Sequence, residues 1–449
     1  MHPRARRPVP PRRAVQAGTL PRQVQGLRLN GPEAGLRIDG ERLWRSLMAL
    51  AEVGAIAGGG VRRLALTDED RRGRDLFVRW CREAGCTVRF DAVGNLFARR
   101  AGRDASLPPV VTGSHLDTQP NGGRFDGAYG VMAGLEVVRA LNDARIETGA
   151  SVEVVAWTNE EGTRFAPSMM GSMAFAGLLP LESVLGSRDA QGLAFGDELA
   201  RIGYRGEGLG ERPVGAYFEA HIEQGPILEE TGHTIGVVTG GQGQCWYDLV
   251  LTGQAAHAGS TPMDRRRDAL LGAARVVEAV NRIGTAFPPG GVATVGHLSV
   301  SPDSRNVIPG RVSMSIEIRH PDDTRRAAMD AAVREAVADA ASRGRLEATL
   351  QKVLDQPATP FDAGCVAAVR EAARAEGLAH LEMVSGAAHD AIAIARIAPT
   401  AMVFVPCAGG ISHNEAESAS PDDLAAGCRV LAHAMLARAG SAARGGAAR

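Results

Sequence analysis

Apolar residues first settle into a helical rhythm near Leu36, where Leu43, Leu47 and Leu50 share one face behind Asp39, a residue suited to capping a helix start. A second helical pattern follows Thr67, with Phe77, Trp80 and Ala84 at helical spacing and Gly85 as a stop. The pattern then changes to β-branched runs. TVRFDAVGNLFARR reads as a hairpin about a central Gly, and PPVVTGSH as a buried strand. Residues 127–144 return to helix and group Val131, Leu135 and Val138, after which SVEVVAWTNEE gives another buried strand. Strand, helix, strand in that order predicts an α/β sheet with at least partly parallel pairing.

From about Thr234 the pattern becomes a strand pair, a helix grouping Leu270, Val277 and Val280, and two strands, VATVGHLSV and VSMSIEIRH. A helix with Met329, Val333 and Val337 follows, then a strand in EATLQKVL. Two such strand, helix, strand units predict a small α+β domain with helices on one face of its sheet. Beyond Phe361 the earlier style resumes with a helix, the buried strand TAMVFVP and a terminal helix. At 449 residues the chain is longer than one hydrophobic core usually supports. The expected architecture is α/β: a mixed-sheet catalytic domain built from residues 36–232 and 350–440, with a smaller α+β domain, residues 233–349, inserted in its middle. Residues 1–35 are rich in Arg and Pro, with no acidic residue before Glu33, and are expected to form a disordered leader.

A net charge of -1 supplies no field to attract nucleic acid or an anionic membrane, and no basic stripe interleaved with aromatics runs along the chain. No apolar run reaches the roughly 18 residues a membrane helix needs. Cys81, Cys86, Cys245, Cys365, Cys407 and Cys428 are scattered without a CxxC pair, which argues against a disulfide framework and for a reducing, cytoplasmic setting.

The candidate chemistry gathers where strands should end, the place at which open α/β sheets present ligands. His115 in GSHLDT is a good metal ligand there, and Asp117 could accept its second ring proton. Alone, an HxD pair is more often structural than metal-binding. GGRFDGAYG lacks the ending of a phosphate loop, and its Asp126 is either a helix cap or a second ligand. Glu160 and Glu161 follow a buried strand, where adjacent residues point apart, so one could bind metal while the other handles a proton. His221 in EAHIEQGP and His413 in GGISHNEAE each could be surface histidines on their own. Together, His115, Asp126, Glu161, His221 and His413 make a mixed nitrogen and oxygen set suited to zinc or a neighbouring divalent metal. One carboxylate bridging two ions at ~3.5 to 4 Å would complete a dinuclear hydrolytic site.

These segments, in this order, resemble the zinc-dependent aminoacylase and exopeptidase superfamily, and within it the carbamoylase branch of N-carbamoyl-L-amino acid hydrolase, beta-ureidopropionase and allantoate amidohydrolase. The resemblance runs from about Leu36 to Ala432 and rests on GSHLDTQPNGGRFDG, NEEGTRF, EAHIEQGPILE, GQAAHAGSTPM, RNVIPG, SGAAHDA and GISHNEAE. It implies two divalent ions per subunit, Zn2+ or else Mn2+, Co2+ or Ni2+, held by His115, Asp126, Glu161, His221 and His413. Asp126 would bridge, Glu160 would be the general base, and Asp117 would support His115 from behind. His221 within HIEQGP separates this branch from exopeptidases, which place a carboxylate there. For the last ligand the pattern favours His413 over His389, and gives the loop containing Gly386 and Ala387 to substrate.

By the same resemblance the inserted domain is a lid and dimerisation domain, which implies a homodimer. Arg319 would hold a substrate carboxylate, for which its planar fork is suited. Gln224 would contact the ureido or carboxylate end, and His257 and Asn306 would stabilise an oxyanion, in cis or across the dimer. The implied activity is hydrolysis of N-carbamoyl-L-amino acids to amino acid, ammonia and CO2. The alternatives are beta-ureidopropionase, allantoate amidohydrolase and, from a different class, a catalytically silent amino-acid-binding protein of the same fold.

Overall fold

A computed structural model of the chain describes residues 36–210 and 213–443; the expected leader, residues 1–35, lies outside them. The first helix, Gly40–Ala51, starts where the Asp39 carboxylate accepts the Arg42 N–H, and it buries Leu43, Leu47 and Leu50. Thr67 caps the second, Asp68–Glu83, in the same way through the N–H of Asp70.

Among the described residues nine strands form the larger sheet, and its centre runs Val152–Trp157, Val110–His115, Ala216–Ile222, Thr400–Val405. These four are mutually parallel, and every one of their residues is buried. Parallel strands with both faces covered need continuous apolar runs, which is why VEVVAW and TAMVFV read so clearly. The hairpin Thr87–Phe90 and Leu96–Arg100 extends one edge antiparallel. Helices Ala128–Asp143 and Pro421–Ala439 lie on the central strands and against each other, with Gly40–Ala51 and Ala363–Ala375 packed alongside. Because the four central strands run the same way, their carboxyl ends open on one rim. His115, the segment leading to Glu160, His221 and the loop after Val405 all reach it.

The smaller sheet is antiparallel, in the order Val292–Ser301, Arg311–His320, Gly243–Thr252, Glu347–Gln356. Alternate residues Tyr247, Leu249 and Leu251, with Val312, Met314, Ile316 and Ile318, point to helices Ala269–Ala286 and Asp323–Gly344. This strand and helix order is the split βαβ arrangement expected of the insert.

Three expectations need correction. Strand Ile235–Gly241, assigned to the insert by a boundary at 233, hydrogen-bonds within the larger sheet. The crossing falls at Gln242, between it and Gly243–Thr252, because the apparent strand pair belongs to two different sheets. On return, Glu347–Gln356 lies wholly in the smaller sheet, so the second seam sits at residues 357–358 rather than at 350. In helix Ala269–Ala286 the buried stripe is Ala269, Ala273, Val276, Val280 and Ile283, while Leu270 and Val277 are exposed. Alanines let this helix approach the sheet closely, so the bulkier residues do not mark the buried side.

Candidate metal centre

Each expected ligand is set by its own backbone. The Nδ1 of His115 lies 2.8 Å from the Asp117 backbone carbonyl, which can only accept, so Nδ1 carries the proton and Nε2 presents a lone pair. Sequence suggested that the Asp117 carboxylate would accept this proton; the structure corrects that, because the support comes from its main chain. That carboxylate instead accepts the N–H groups of Glu160 and Glu161 and so fixes the turn that carries both acids. His221 repeats the arrangement, with Nδ1 donating to the Ile222 carbonyl at 2.9 Å. Its Nε2 accepts the Gly127 N–H at 3.1 Å and faces Asp126 Oδ1 at 3.2 Å.

Asp126 does not cap the helix behind it: the cap is Gly127, with no side-chain hydrogen bond. The carboxylate turns instead into the rim. Oδ1 faces His221 and, at 3.7 Å, His115 Nε2, while Oδ2 lies 3.2 Å from His413 Nε2. Glu161 Oε2 is 3.6 Å from the same His413 nitrogen. The five residues therefore form two triads, His115, Asp126, His221 and Asp126, Glu161, His413, with Asp126 in both. Gly127 adopts φ 63°, and a Cβ there would sit 2.3 Å from the His115 ring, so only glycine lets the imidazole lie so close. His413 itself holds φ 54°, an uncommon backbone for a residue with a side chain, which functional sites tend to retain.

Glu160 Oε2 approaches His115 Nε2 at 3.4 Å, beside the triads. His389, the rival for the last ligand, stands on the other side of His221: the two rings are tilted by 59° with centroids 4.5 Å apart, it groups with Glu219 and His221, and its Nε2 has no hydrogen-bond partner among the described residues.

Electrostatics make the rim a place for positive charge. Burial, then the charges of Asp390, Glu161 and Asp117, pushes Glu160 well above the usual carboxylate range. Burial and Asp126 push Glu161 to about 8, and burial with Asp70 pushes Asp117 to about 7. For Asp126 burial acts the same way, yet the neighbouring His221 and His413 outweigh it and hold the group well below the usual range. The hydrogen bond to Asp126 lifts His413 to about 9, whereas burial drives His115 down to about 4. Acids crowded in a buried place repel one another unless a cation sits among them. Glu161 Oε1 is also buried without any hydrogen-bond partner among the described residues. A nitrogen and oxygen donor set with an orphaned carboxylate oxygen and facing lone pairs fits a divalent metal.

Several positioning groups escaped sequence reasoning. Glu417 Oε1 accepts the N–H groups of Phe125 and Asp126, and its Oε2 accepts the Ser412 hydroxyl. One carboxylate thereby joins the two ligand loops. Its only sequence signal was an acid four residues after His413 in GISHNEAE. Gln119 Nε2 donates to Glu161 Oε2 at 2.6 Å. Gln224, expected at the substrate, donates to Asp126 Oδ2 at 3.0 Å while lining the same cavity.

The triads open into a cavity of about 820 Å³ whose walls come from both sheets. Arg319 and Ala387 line it, and Arg319 Nη1 donates to the Gly386 carbonyl at 2.7 Å. Arg319 also directs Nε and Nη2 to Glu317 Oε1, each at 2.6 Å, so all three nitrogens face an acceptor and one N–H on each terminal nitrogen remains. His257 and Asn306 do not line this cavity. They lie exposed on or beside the two-stranded ribbon Ala256–His257 and Val307–Ile308.

The chain is similar to an N-carbamoyl-L-amino-acid amidohydrolase of Rhizobium meliloti, at 47% identity over 90% of this chain and 98% of that protein. It is similar to a ureidoglycolate hydrolase of Oryza sativa subsp. japonica, at 35% identity over 90% of this chain and 86% of the relative. Among solved structures, an amidase of the hydantoinase/carbamoylase family from Burkholderia multivorans superposes with a TM-score of 0.87 at 59% identity, over 90% of this chain and 98% of that one. The model of peptidase family M20/M25/M40 matches residues 111–437, a span that contains both triads, and the chain belongs to that family.

Proposed function

We propose that this chain hydrolyses N-carbamoyl-L-amino acids to amino acid, ammonia and CO2 at a site that holds two divalent ions. The observation that carries the reading is the division of Asp126, with one oxygen toward His115 and His221 and the other toward His413, directly beside Glu160. The name of the Rhizobium meliloti relative supports the substrate class.

A ureido carbonyl is a poor electrophile because two nitrogens donate into it. Two bound cations, Zn2+ by the donor set and Mn2+, Co2+ or Ni2+ as alternatives, supply Lewis-acid polarisation and lower the pKa of water. Glu160 takes a proton from the attacking water and returns it to the leaving nitrogen. Arg319 offers its unengaged N–H groups to the substrate carboxylate, and the Gly386–Ala387 loop and Gln224 border the ureido end. Water adds across one C–N bond, and the carbamate so formed decomposes to ammonia and CO2.

His257 and Asn306 complete the site from the second subunit of a homodimer. Leu270, Leu271 and Val277 on the insert helix, with Val292 and Leu298 on the edge strand, are exposed apolar groups suited to that contact. His257 Nδ1 accepts two backbone N–H groups, which leaves Nε2–H as an outward donor to an oxyanion. A cytoplasmic setting belongs to the same reading, in keeping with six buried, unpaired thiols.

The ureidoglycolate hydrolase relative favours a second reading, in which the same ligands serve a smaller ureido substrate, as they would in beta-ureidopropionase or allantoate amidohydrolase. Ammonia release from N-carbamoyl-L-amino acids, N-carbamoyl-β-alanine, allantoate and ureidoglycolate separates these. Glu160→Gln should abolish turnover while metal content stays at the wild-type value; retained turnover contradicts the assignment.

A further inference from the structure

We propose that Arg266 is the positioning residue for His257, acting by clamping the turn that sets the orientation of the imidazole; this rests on the reading of His257 as an oxyanion donor. The turn after strand Ala256–His257 closes with the Thr261 N–H on the His257 carbonyl at 3.1 Å. Within it, the N–H groups of Gly259 and Ser260 donate to His257 Nδ1 at 3.0 and 3.1 Å. Those two bonds select the tautomer and the angle of the ring. His257, Gly259 and Ser260 are exposed, and Ala258 and Thr261 are only half-buried, so side-chain packing does not hold the turn.

The guanidinium of Arg266 holds it instead. Nη2 donates to the Ala258 carbonyl at 2.6 Å and to the Thr261 carbonyl at 3.1 Å, and Nε donates to the same Thr261 oxygen at 3.1 Å. These carbonyls bracket the two N–H donors on which the ring depends. All three bonds go to main-chain oxygens, so the group spends its fork on geometry rather than on an ion pair. The planar fork suits this span, and the single ammonium of a lysine does not reproduce it. The base of the clamp is firm: the Arg266 carbonyl accepts from Arg345 Nη2 at 3.1 Å, and two residues later Asp268 caps helix Ala269–Ala286. Beside the backbone bond from the Ala258 N–H to the Asn306 carbonyl at 2.9 Å, one side chain thus ties both ends of the turn to the start of that helix.

The test is a double-mutant cycle on the intact dimer, with N-carbamoyl-L-methionine as probe. Removing a preorganised oxyanion donor costs roughly 10²- to 10³-fold in kcat. His257→Ala should show a loss of that order. Arg266→Ala should lower kcat by about 10- to 100-fold, in line with a ~1 Å misplacement, with KM and metal content unchanged. Arg266→Lys should fall between it and wild type. The decisive result is the double variant, whose kcat should equal that of His257→Ala alone, since the arginine acts only through the ring. Independent, multiplying losses would overturn the proposal, as would an Arg266→Ala enzyme of wild-type kcat beside an impaired His257→Ala. If His257→Ala is itself fully active, the donor reading fails together with the clamp. Arg266→Gln, which keeps two N–H donors, serves where the alanine variant does not fold, and should show the same fall in kcat at constant KM.

Discussion

Replacing Gly127 by alanine would place a methyl group 2.3 Å from the Cε1 atom of His115 and 2.4 Å from both ring nitrogens. Comfortable carbon contacts lie near ~3.5 Å, so the ring or the backbone must give way by roughly 1 Å. A second cost arises because Gly127 holds φ 63° and ψ -48°, outside the left-handed helical region and open in practice to glycine alone. Gly232, with φ 70°, ψ 31° and no described atom within 4 Å of its added Cβ, isolates the cost of a side chain in the left-handed region, about 1 to 2 kcal/mol. Gly232→Ala therefore carries the backbone cost alone and should lower the melting temperature by a few degrees with activity intact. Gly127→Ala should do more. Displacing His115 disturbs the triad with Asp126 and His221 but leaves Asp126, Glu161 and His413 in place. Metal analysis should fall from about two ions toward one per subunit, and ammonia release by about 10²-fold, the usual cost of a 1 Å misplacement. Full metal content and full activity in Gly127→Ala would refute the reasoning, as would an equal loss of activity in Gly232→Ala.

Two further outcomes follow from the same geometry. Glu417→Gln replaces one acceptor oxygen in a carboxylate that takes three hydrogen bonds, so it should weaken metal affinity by about 10-fold and cost about 1 to 3 kcal/mol in urea unfolding. Metal-free protein should lose stability between pH 6.5 and 9. Folding raises Glu161 to about 8 and His413 to about 9, both above their unfolded values, so the folded chain holds more protons in that window and stability drops as they leave. Folding lowers His115 to about 4, and that contribution is already complete above the unfolded imidazole value near ~6.5. Thermal unfolding after chelation at pH 6.5 and 8.5 checks the sign; a higher melting temperature at pH 8.5 would contradict it.

Much of the fold could be read from residues because its central strands are buried on both faces, and a run such as TAMVFV admits few other states. That the candidate residues would converge was legible for a related reason: parallel strands deliver His115, His221 and the segment before Glu160 to one rim, so polar groups cluster at their ends. What sequence misplaced depended on distance or on choice of partner. Alanine contributes little apolar contrast, so the stripe Ala269, Ala273, Val276 lost to Leu270 and Val277 in the reading of that helix. Strand Ile235–Gly241 looked like half of a local pair, but its partners are more than a hundred residues away. Asp117 supports His115 by a carbonyl, a group every residue carries, so no choice of side chain could announce it. Glu417 serves backbone amides nearly three hundred residues distant, and only the folded chain brings them together.

The seams have a consequence for how such a molecule is put together. Gly241 pairs with Thr359 in the larger sheet, and Gln244 pairs with Gln356 in the smaller one, so the outgoing and incoming segments travel as bonded neighbours. Seen from the larger sheet, Ile235–Gly241 and Thr359–Pro360 are the two arms of an ordinary hairpin, and the whole smaller fold stands where its tip would be. An entire fold can be spliced into such a tip without disturbing the strands on either side, since the tip already lies at the surface and its ends already touch. Graft and host are joined by a ribbon two strands wide, short enough to keep the walls of both around one cavity at the rim.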